Sequence, residues 1–196
     1  MSNPDQETPT RRTALVVVDV QQCFIDAVGP DGHRVLREVN CCIEKAVREG
    51  VPIIYTRDRD PFPVPEGDRG GATRLHPELT VAGPVVEKGP GRHGYMSGFL
   101  LATAEGPGHG SIGGLAGELR RARVDAVIVV GIAADVCVAA TARDALRLGY
   151  AATMPLAATS FVHAHPRGDA AAVAELRAAG ITVLGDLDDE RIRHLC

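Results

Sequence analysis

Features typical of partners such as nucleic acids or membranes are missing from this sequence. Its 196 residues carry a net charge of −4 without a run of like charges, so the charge pattern favours neither a nucleic acid nor a membrane surface. No apolar stretch reaches the roughly 18 residues of a membrane-spanning helix, and the N-terminus lacks an apolar signal-like segment. We therefore expect a cytoplasmic protein with no nucleic-acid or membrane partner.

Three kinds of side chain are scarce. Tryptophan is absent, and the five cysteines include no C-x-x-C pair and no Cys/His pair with zinc-ligand spacing. Lysine occurs only at Lys45 and Lys88, against nineteen arginines. A lysine in so arginine-rich a chain suggests a role that arginine cannot fill, such as one that uses a shifted pKa. Lys45 falls in a helical pattern as a solvated residue, which leaves Lys88 as the candidate.

Apolar runs of strand type alternate with helical patterns along the chain. A Val-rich run at 13–19 predicts a strand buried on both faces, and further strands are predicted at 51–56, 85–88, 126–130, 150–155 and 181–184. Helical patterns cover 35–49, 115–123, 135–148 and 169–179. This alternation predicts an α/β fold, a three-layer sandwich around a mostly parallel sheet of about six strands. We expect residues 1–12 to be a disordered lead and residues 13–196 to form one domain.

Four charged or reactive residues fall where predicted strands end: Asp19, Asp58, Lys88 and Cys137. In parallel sheets the ligand site lies at the carboxyl ends of the strands, near the point where strand order reverses. Cys137 also follows a turn of small residues and starts a predicted helix, whose free N–H groups and positive dipole end stabilise a thiolate. Cys137 is therefore a candidate nucleophile.

An aspartate, a lysine and a cysteine can together form a hydrolase site. Asp19 would accept the thiol proton as general base, and Lys88 would lower the thiol pKa through its charge. Cys137 would attack a carbonyl carbon and form an acyl-enzyme that water then hydrolyses. Its own amide, with one from the turn before it, is placed to stabilise the oxyanion.

Three motifs in order along the chain resemble the isochorismatase-like cysteine hydrolases. They are LVVVDVQ at 15–21, EKG at 87–89 followed by SGF at 97–99, and GIAADVCV at 131–138 with TA at 141–142 and DA at 144–145. Together they span about residues 13 to 155. Within the superfamily the chain is most similar to the nicotinamidases, because Asp58-x-Asp60 and His76 stand where that branch carries a metal site.

The resemblance implies a catalytic site and a reaction. Asp19, Lys88 and Cys137 would be the triad, and the amides of Ala133 and Cys137 would form the oxyanion hole beside a cis peptide between Ile132 and Ala133. The implied reaction is hydrolysis of a small amide to an acid and ammonia, with nicotinamide as the nicotinamidase substrate. A homo-oligomer, a dimer or larger, is implied as well.

The resemblance also implies one divalent metal ion, zinc, manganese or iron, at Asp58, Asp60 and His76. This ion would bind the pyridine nitrogen of nicotinamide. The sequence departs from the nicotinamidase pattern here, because Asp60 stands in place of a histidine and Arg59 in place of the usual aromatic residue. An Asp/Asp/His set still offers donors for these metals, although the ligands are harder.

The expected substrate contacts follow from the lack of tryptophan. An aromatic wall for a pyridine ring has to come from Phe24, Phe62 or Tyr95. We expect Phe24 and Tyr95 to bind the substrate, together with Ala134, whose small side chain lets a substrate approach the backbone closely. Cys23 stands where an acid is common after the first strand.

Alternative functions stay open at this point. The same triad could act on another amide, such as an N-carbamoyl compound, a maleamate-like acid or a natural-product amide. A non-catalytic relative would keep only the fold, but the intact Asp/Lys/Cys set argues against it. A vinyl-ether-cleaving isochorismatase is possible on fold grounds, and a cysteine at the nucleophile position argues against that interpretation.

Overall fold

The computed structural model describes residues 11–65, 71–89, 91–103, 106–109 and 114–185. Residues 1–10 of the expected disordered lead lie outside this description, as do residues 186–196 at the end of the expected domain. Among the described residues no helix is both long enough and apolar enough to cross a membrane.

Strands and helices alternate through the described residues as the sequence predicts. In chain order they are β1 (Thr13–Val18), α1 (Gln22–Ala27), α2 (Pro30–Glu49), β2 (Ile53–Asp58), β3 (Val85–Lys88), β4 (Leu100–Thr103), β5 (Gly106–His109), α3 (Leu115–Ala122), β6 (Ala126–Ile132), α4 (Cys137–Arg147), β7 (Ala151–Pro155), β8 (Thr159–Ser160), α5 (Asp169–Ala178) and β9 (Thr182–Leu184). Single 3-10 turns lie at Gly71–Thr73, Gly91–His93 and Leu156–Ala158.

The main sheet is parallel and has the strand order β3-β2-β1-β6-β7-β9, with the short β8 also pairing with β6. This confirms the predicted α/β fold with a mostly parallel sheet. The chain runs from β1 outward to β2 and β3, and later returns to the other side of β1 with β6. The strand order therefore reverses between β1 and β6, where parallel sheets open a crevice at their carboxyl edge.

Both faces of the sheet are covered, which explains why β1 is apolar throughout. Alternate residues of a strand point to opposite faces. Ala14, Val16 and Val18 belong to one buried cluster, while Leu15 and Val17 belong to the other. The first cluster contains residues of α3, α4 and α5, and the second contains residues of α1 and α2. The result is the three-layer sandwich that the alternation predicted.

Helix α1 and the strands β4, β5 and β8 were not predicted. The helix α1 covers only six residues and has no side-chain cap, so neither periodicity nor a capping signal marks it. The antiparallel pair β4–β5 includes the sequence Gly-Pro-Gly-His, whose composition is typical of a loop. The helix α2 begins at Pro30, earlier than the predicted residue 35, because Pro30 occupies its first turn after Gly29.

Gly131 permits the close approach of β6 to β1. Its φ is 115°, a region that favours glycine, and a Cβ at this position would lie 2.1 Å from the carbonyl oxygen of Val18. A side chain would therefore force apart the two strands at the reversal point.

We predict that Gly131→Ala lowers the free energy of unfolding by at least about 2 kcal/mol, because it combines an unfavourable φ with a backbone clash. Gly149→Ala is the matched control, since Gly149 has a φ of 90° but a Cβ added there would have nothing within 4 Å. Chemical denaturation of both variants measures the difference. Equal losses would contradict a role for the contact with Val18.

Candidate active site

The sheet order brings Asp19, Lys88 and Cys137 together. Asp19 follows β1, Lys88 is the last residue of β3, and Cys137 is the first residue of α4. The Lys88 Nζ lies 2.9 Å from Asp19 Oδ2 and 3.4 Å from Cys137 Sγ. All three residues are buried. The predicted triad residues thus form one contact group at the carboxyl edge of the sheet.

The ammonium group of Lys88 is held by several partners. Besides Asp19 and Cys137, it donates a hydrogen bond to the carbonyl oxygen of Met96 at 2.8 Å and lies 4.0 Å from Asp58 Oδ2. Burial lowers its pKa, but the charges of Asp19, Cys137 and Asp58 outweigh burial, and the pKa of Lys88 is raised above its ordinary value. Lys88 is therefore positively charged across the physiological pH range.

The thiol of Cys137 is protonated in the resting site. Its pKa is raised to about 12, chiefly by burial and then by the charge of Asp19 and a hydrogen bond to it, while Lys88 acts in the opposite direction. The predicted effect of Lys88 on the thiol thus has the expected sign, but burial and Asp19 outweigh it. A thiol of this kind reacts only when a base removes its proton during the attack.

The backbone before Cys137 has the arrangement that the resemblance implied. The peptide between Ile132 and Ala133 is cis. The Ala134 amide donates to the carbonyl oxygen of Ser160 at 2.7 Å, and the Val138 amide donates to that of Ala133 at 3.0 Å. Among the turn, loop and cap hydrogen bonds of the described residues, none is donated by the amide of Ala133 or Cys137. Both amides are thus available as donors to a ligand.

A cavity of about 290 Å³ opens onto Cys137 and Ala133. Its walls are mainly apolar and include Phe24, Phe62 and Met96, with Asp58 as a charged residue. Phe24 therefore lies where the sequence predicted a substrate contact.

Two other expected substrate contacts do not line this cavity. Ala134 is fully buried, and its amide is bonded to the carbonyl oxygen of Ser160 rather than directed at a ligand. Tyr95 is half-buried outside the wall, where its neighbour Met96 takes the expected place. The aromatic surface of the cavity comes instead from Phe24 and Phe62.

The three expected metal ligands do not fit a metal ion. Asp58 Oδ1 accepts hydrogen bonds from the amides of Asp60 at 3.0 Å and Gly91 at 3.1 Å. Asp60 forms an ion pair with Arg92, and His76 Nδ1 accepts a hydrogen bond from the amide of Glu78 at 3.2 Å. In the part of the chain that the structure describes, no group of three His, Cys, Asp or Glu side chains is arranged to hold a metal.

The carboxyl group of Asp58 is also buried. Burial raises the pKa of Asp58, and the opposing charge of Lys88 only partly offsets that effect. In addition, a Cβ at Gly91 would lie 2.0 Å from Asp58 Oδ2, so the loop packs directly on this carboxyl group. The carboxyl of Asp58 is enclosed by protein groups.

The sequence did not predict the positioning roles of Thr56 and Gln21. The hydroxyl of Thr56, on β2, donates a hydrogen bond to Asp19 Oδ1 at 2.7 Å. The side chain of Gln21 is fully buried and joins β2 to a distant loop, donating to the carbonyl oxygens of Asp58 at 3.0 Å and Thr73 at 2.7 Å and accepting from the Asp58 amide at 2.8 Å. A polar residue in the apolar run of β2 was the available signal for Thr56.

Comparison with known proteins identifies the family of this chain. The family model described as the isochorismatase domain matches residues 13–186. The chain belongs to the isochorismatase family.

The proteins to which this chain is similar are named for different hydrolytic activities. Two streptothricin hydrolases of Streptomyces noursei are each 30% identical over 72% of this chain, which spans 47% of one and 52% of the other, about half their length. The pyrazinamidase of Pyrococcus horikoshii, solved in complex with zinc, is 27% identical with a TM-score of 0.69 and covers 89% of this chain and 99% of its own. The N-carbamoylsarcosine amidase of Thermoplasma acidophilum is 26% identical with a TM-score of 0.67 and covers 91% and 99%.

We predict that Asp19→Asn lowers the pKa of the Cys137 thiol, because the negative charge and the hydrogen bond of Asp19 both raise it. The pH at which alkylation of Cys137 by iodoacetamide reaches half its maximal rate should then be lower in the variant than in the wild type. Mass spectrometry of the labelled peptide at several pH values measures the rate, and the Cys137→Ala variant supplies the background. An unchanged or higher midpoint pH would contradict the assigned contact.

We predict that Thr56→Val lowers the free energy of unfolding by about 1.5–3 kcal/mol, because it removes the hydroxyl that donates a hydrogen bond to Oδ1 of the buried Asp19 carboxylate. Thr56→Ser keeps the hydroxyl and should cost less. Equilibrium denaturation in urea gives both values. A valine variant as stable as the serine variant would show that the hydrogen bond contributes nothing.

Proposed function

We propose that this protein is a cysteine amidohydrolase that hydrolyses a small amide through a thioester acyl-enzyme, with nicotinamide as the first candidate substrate. The observation that carries the proposal is the position of Lys88 Nζ, 2.9 Å from Asp19 Oδ2 and 3.4 Å from the Sγ of Cys137, which lines an apolar cavity. A base, a fixed positive charge and a thiol are thus in mutual contact where a ligand can enter.

In the first half of the proposed reaction, Cys137 Sγ attacks the amide carbon while Asp19 takes the thiol proton. Transfer during the attack suits this site, because the thiol has a pKa of about 12 before the substrate binds. The positive charge of Lys88 stabilises the developing negative charge on sulfur. The amides of Ala133 and Cys137 donate to the oxyanion of the tetrahedral intermediate.

In the second half, the C–N bond of the tetrahedral intermediate breaks while Asp19 returns its proton to the departing nitrogen, so that ammonia leaves and the thioester forms. Asp19 is then a carboxylate again and accepts a proton from the water that attacks the thioester carbon. The C–S bond then breaks, the carboxylic acid leaves, and Asp19 returns the proton to Cys137 Sγ, so the site returns to its starting state. Each proton that the substrate and water exchange passes through the same carboxyl group.

The size and lining of the cavity favour a substrate with a small, flat and uncharged acyl group. Its volume of about 290 Å³ is at the lower end of the range for ligand pockets, and Phe24 and Phe62 supply aromatic faces. The pyrazinamidase and the N-carbamoylsarcosine amidase named above share the fold over nearly the whole chain. Both similarities favour amide hydrolysis on a small substrate.

A second candidate is hydrolysis of a larger amide, such as a natural product. A further cavity of about 450 Å³ shares Ala27, Val28 and Val162 with the first, so the two adjoin. Its other walls carry polar groups, among them those of Ser160 and Asp169. This second compartment could hold the polar part of a larger substrate, and the similarity to the streptothricin hydrolases favours the same idea.

We predict ammonia release from nicotinamide by the wild-type protein, and its loss by a factor on the order of 10³ or more in Cys137→Ala. Cys42→Ala is the control, because Cys42 is a half-buried free cysteine in α2 that does not line the cavity. A coupled ammonia assay measures both variants.

The outcomes separate the candidates. Turnover of larger amides without turnover of nicotinamide would favour the second candidate. If no amide is hydrolysed at a rate that depends on Cys137, the proposed function is wrong.

A further inference from the structure

Arg92 provides a protein-derived cation beside the residues expected to hold a metal. Its Nε lies 3.4 Å from Asp60 Oδ2 in an ion pair whose two side chains are largely buried, at 20% and 21% exposed. Arginine is never deprotonated at accessible pH, so its charge is permanent. A divalent ion bound by Asp60 would have to compete with this charge at short range. Asp60 is therefore already neutralised by Arg92.

The guanidinium of Arg92 also joins several points of one segment. Its Nη2 donates hydrogen bonds to the carbonyl oxygens of Pro61, at 3.0 Å, and Val64. The Arg92 amide donates to the carbonyl oxygen of Asp60 at 3.4 Å. Arginine can do this because its planar group presents several donors in a fixed fork. Arg92 thus holds three residues of the segment Asp60–Val64.

This segment forms part of the cavity wall. Phe62 and Pro63 line the cavity that opens onto Cys137, as does Gly91 next to Arg92. Phe62 is 78% exposed, so burial does little to fix its position. The backbone on either side of Phe62 is what Arg92 holds. The shape of the wall therefore depends on the bonds made by the guanidinium.

We propose that Arg92 replaces a divalent metal in this chain and positions the Asp60–Val64 segment as a wall of the substrate cavity. No residue of the proposed triad is bonded to Arg92 among the described contacts, so Arg92 is a positioning residue. The substrate-binding part of the inference rests on the proposed function. The metal-free state and the ordering of the segment do not rest on it.

The first test measures the metal directly. The wild-type protein should contain far less than one zinc, manganese or iron per chain by elemental analysis, and none of these ions should raise its melting temperature. Treatment with a chelator followed by dialysis should leave its amide hydrolysis unchanged. One bound metal per chain, or activity lost to the chelator and restored by a metal, would overturn the proposal.

The second test separates the hydrogen-bonding geometry of the Arg92 guanidinium from its positive charge. Arg92→Ala and Arg92→Lys should both raise KM about tenfold or more, with a smaller change in kcat, because lysine keeps the charge but cannot bridge the same carbonyl groups. Arg57→Ala is the matched control, since Arg57 also pairs with an acid, Glu87, but does not line the cavity. Wild-type KM in both Arg92 variants would overturn the positioning role.

A readout without substrate keeps the two proposals distinct. Limited proteolysis should cut near Phe62 faster in both Arg92 variants than in the wild type or Arg57→Ala. If the wild type hydrolyses no amide, the proposed function fails, while metal content and proteolysis still test Arg92. Unchanged proteolysis in the Arg92 variants would overturn the inference even if amide hydrolysis is confirmed.

Discussion

The buried ion pair between Lys88 and Asp19 is the constraint on which the candidate site depends. Both side chains are fully removed from water, and a buried charge is costly unless protein groups replace the lost hydration. The partners come from separate parts of the chain: Thr56 donates to Asp19, and the carbonyl oxygen of Met96 accepts from Lys88. Because β1, β2 and β3 must lie side by side for these contacts to form, the pair couples the site to the correct strand order.

The same burial determines the state of the nucleophile. Cys137 lies at a helix start beside a lysine, a setting that ordinarily favours a thiolate. Here burial and the charge of Asp19 outweigh the charge of Lys88, and the pKa of the thiol is raised. The raised pKa of the thiol therefore follows mainly from the burial of Cys137. In the proposed reaction, Cys137 becomes reactive only when Asp19 takes its proton as the substrate is attacked.

Much of the fold could be predicted from the sequence because parallel strands buried on both faces leave a continuous apolar run. The run at 13–19 predicted β1, and the main sheet has the expected parallel arrangement. Helix α1 and the β4–β5 pair could not be predicted in this way. Neither has a periodic apolar pattern, and the Gly-Pro-Gly-His composition of β5 is typical of a loop.

The sequence by itself determined which residues carry reactive groups, because Asp19, Lys88 and Cys137 each follow, end or begin an element that the apolar pattern marks. Only the tertiary structure decided how these groups act together. The thiol pKa depends on burial, the bond from Thr56 to Asp19 spans 37 residues, and the ion pair of Arg92 with Asp60 joins two loops. Spacing predicts where a strand ends, but the distance between two loops and the water left between them are set by packing.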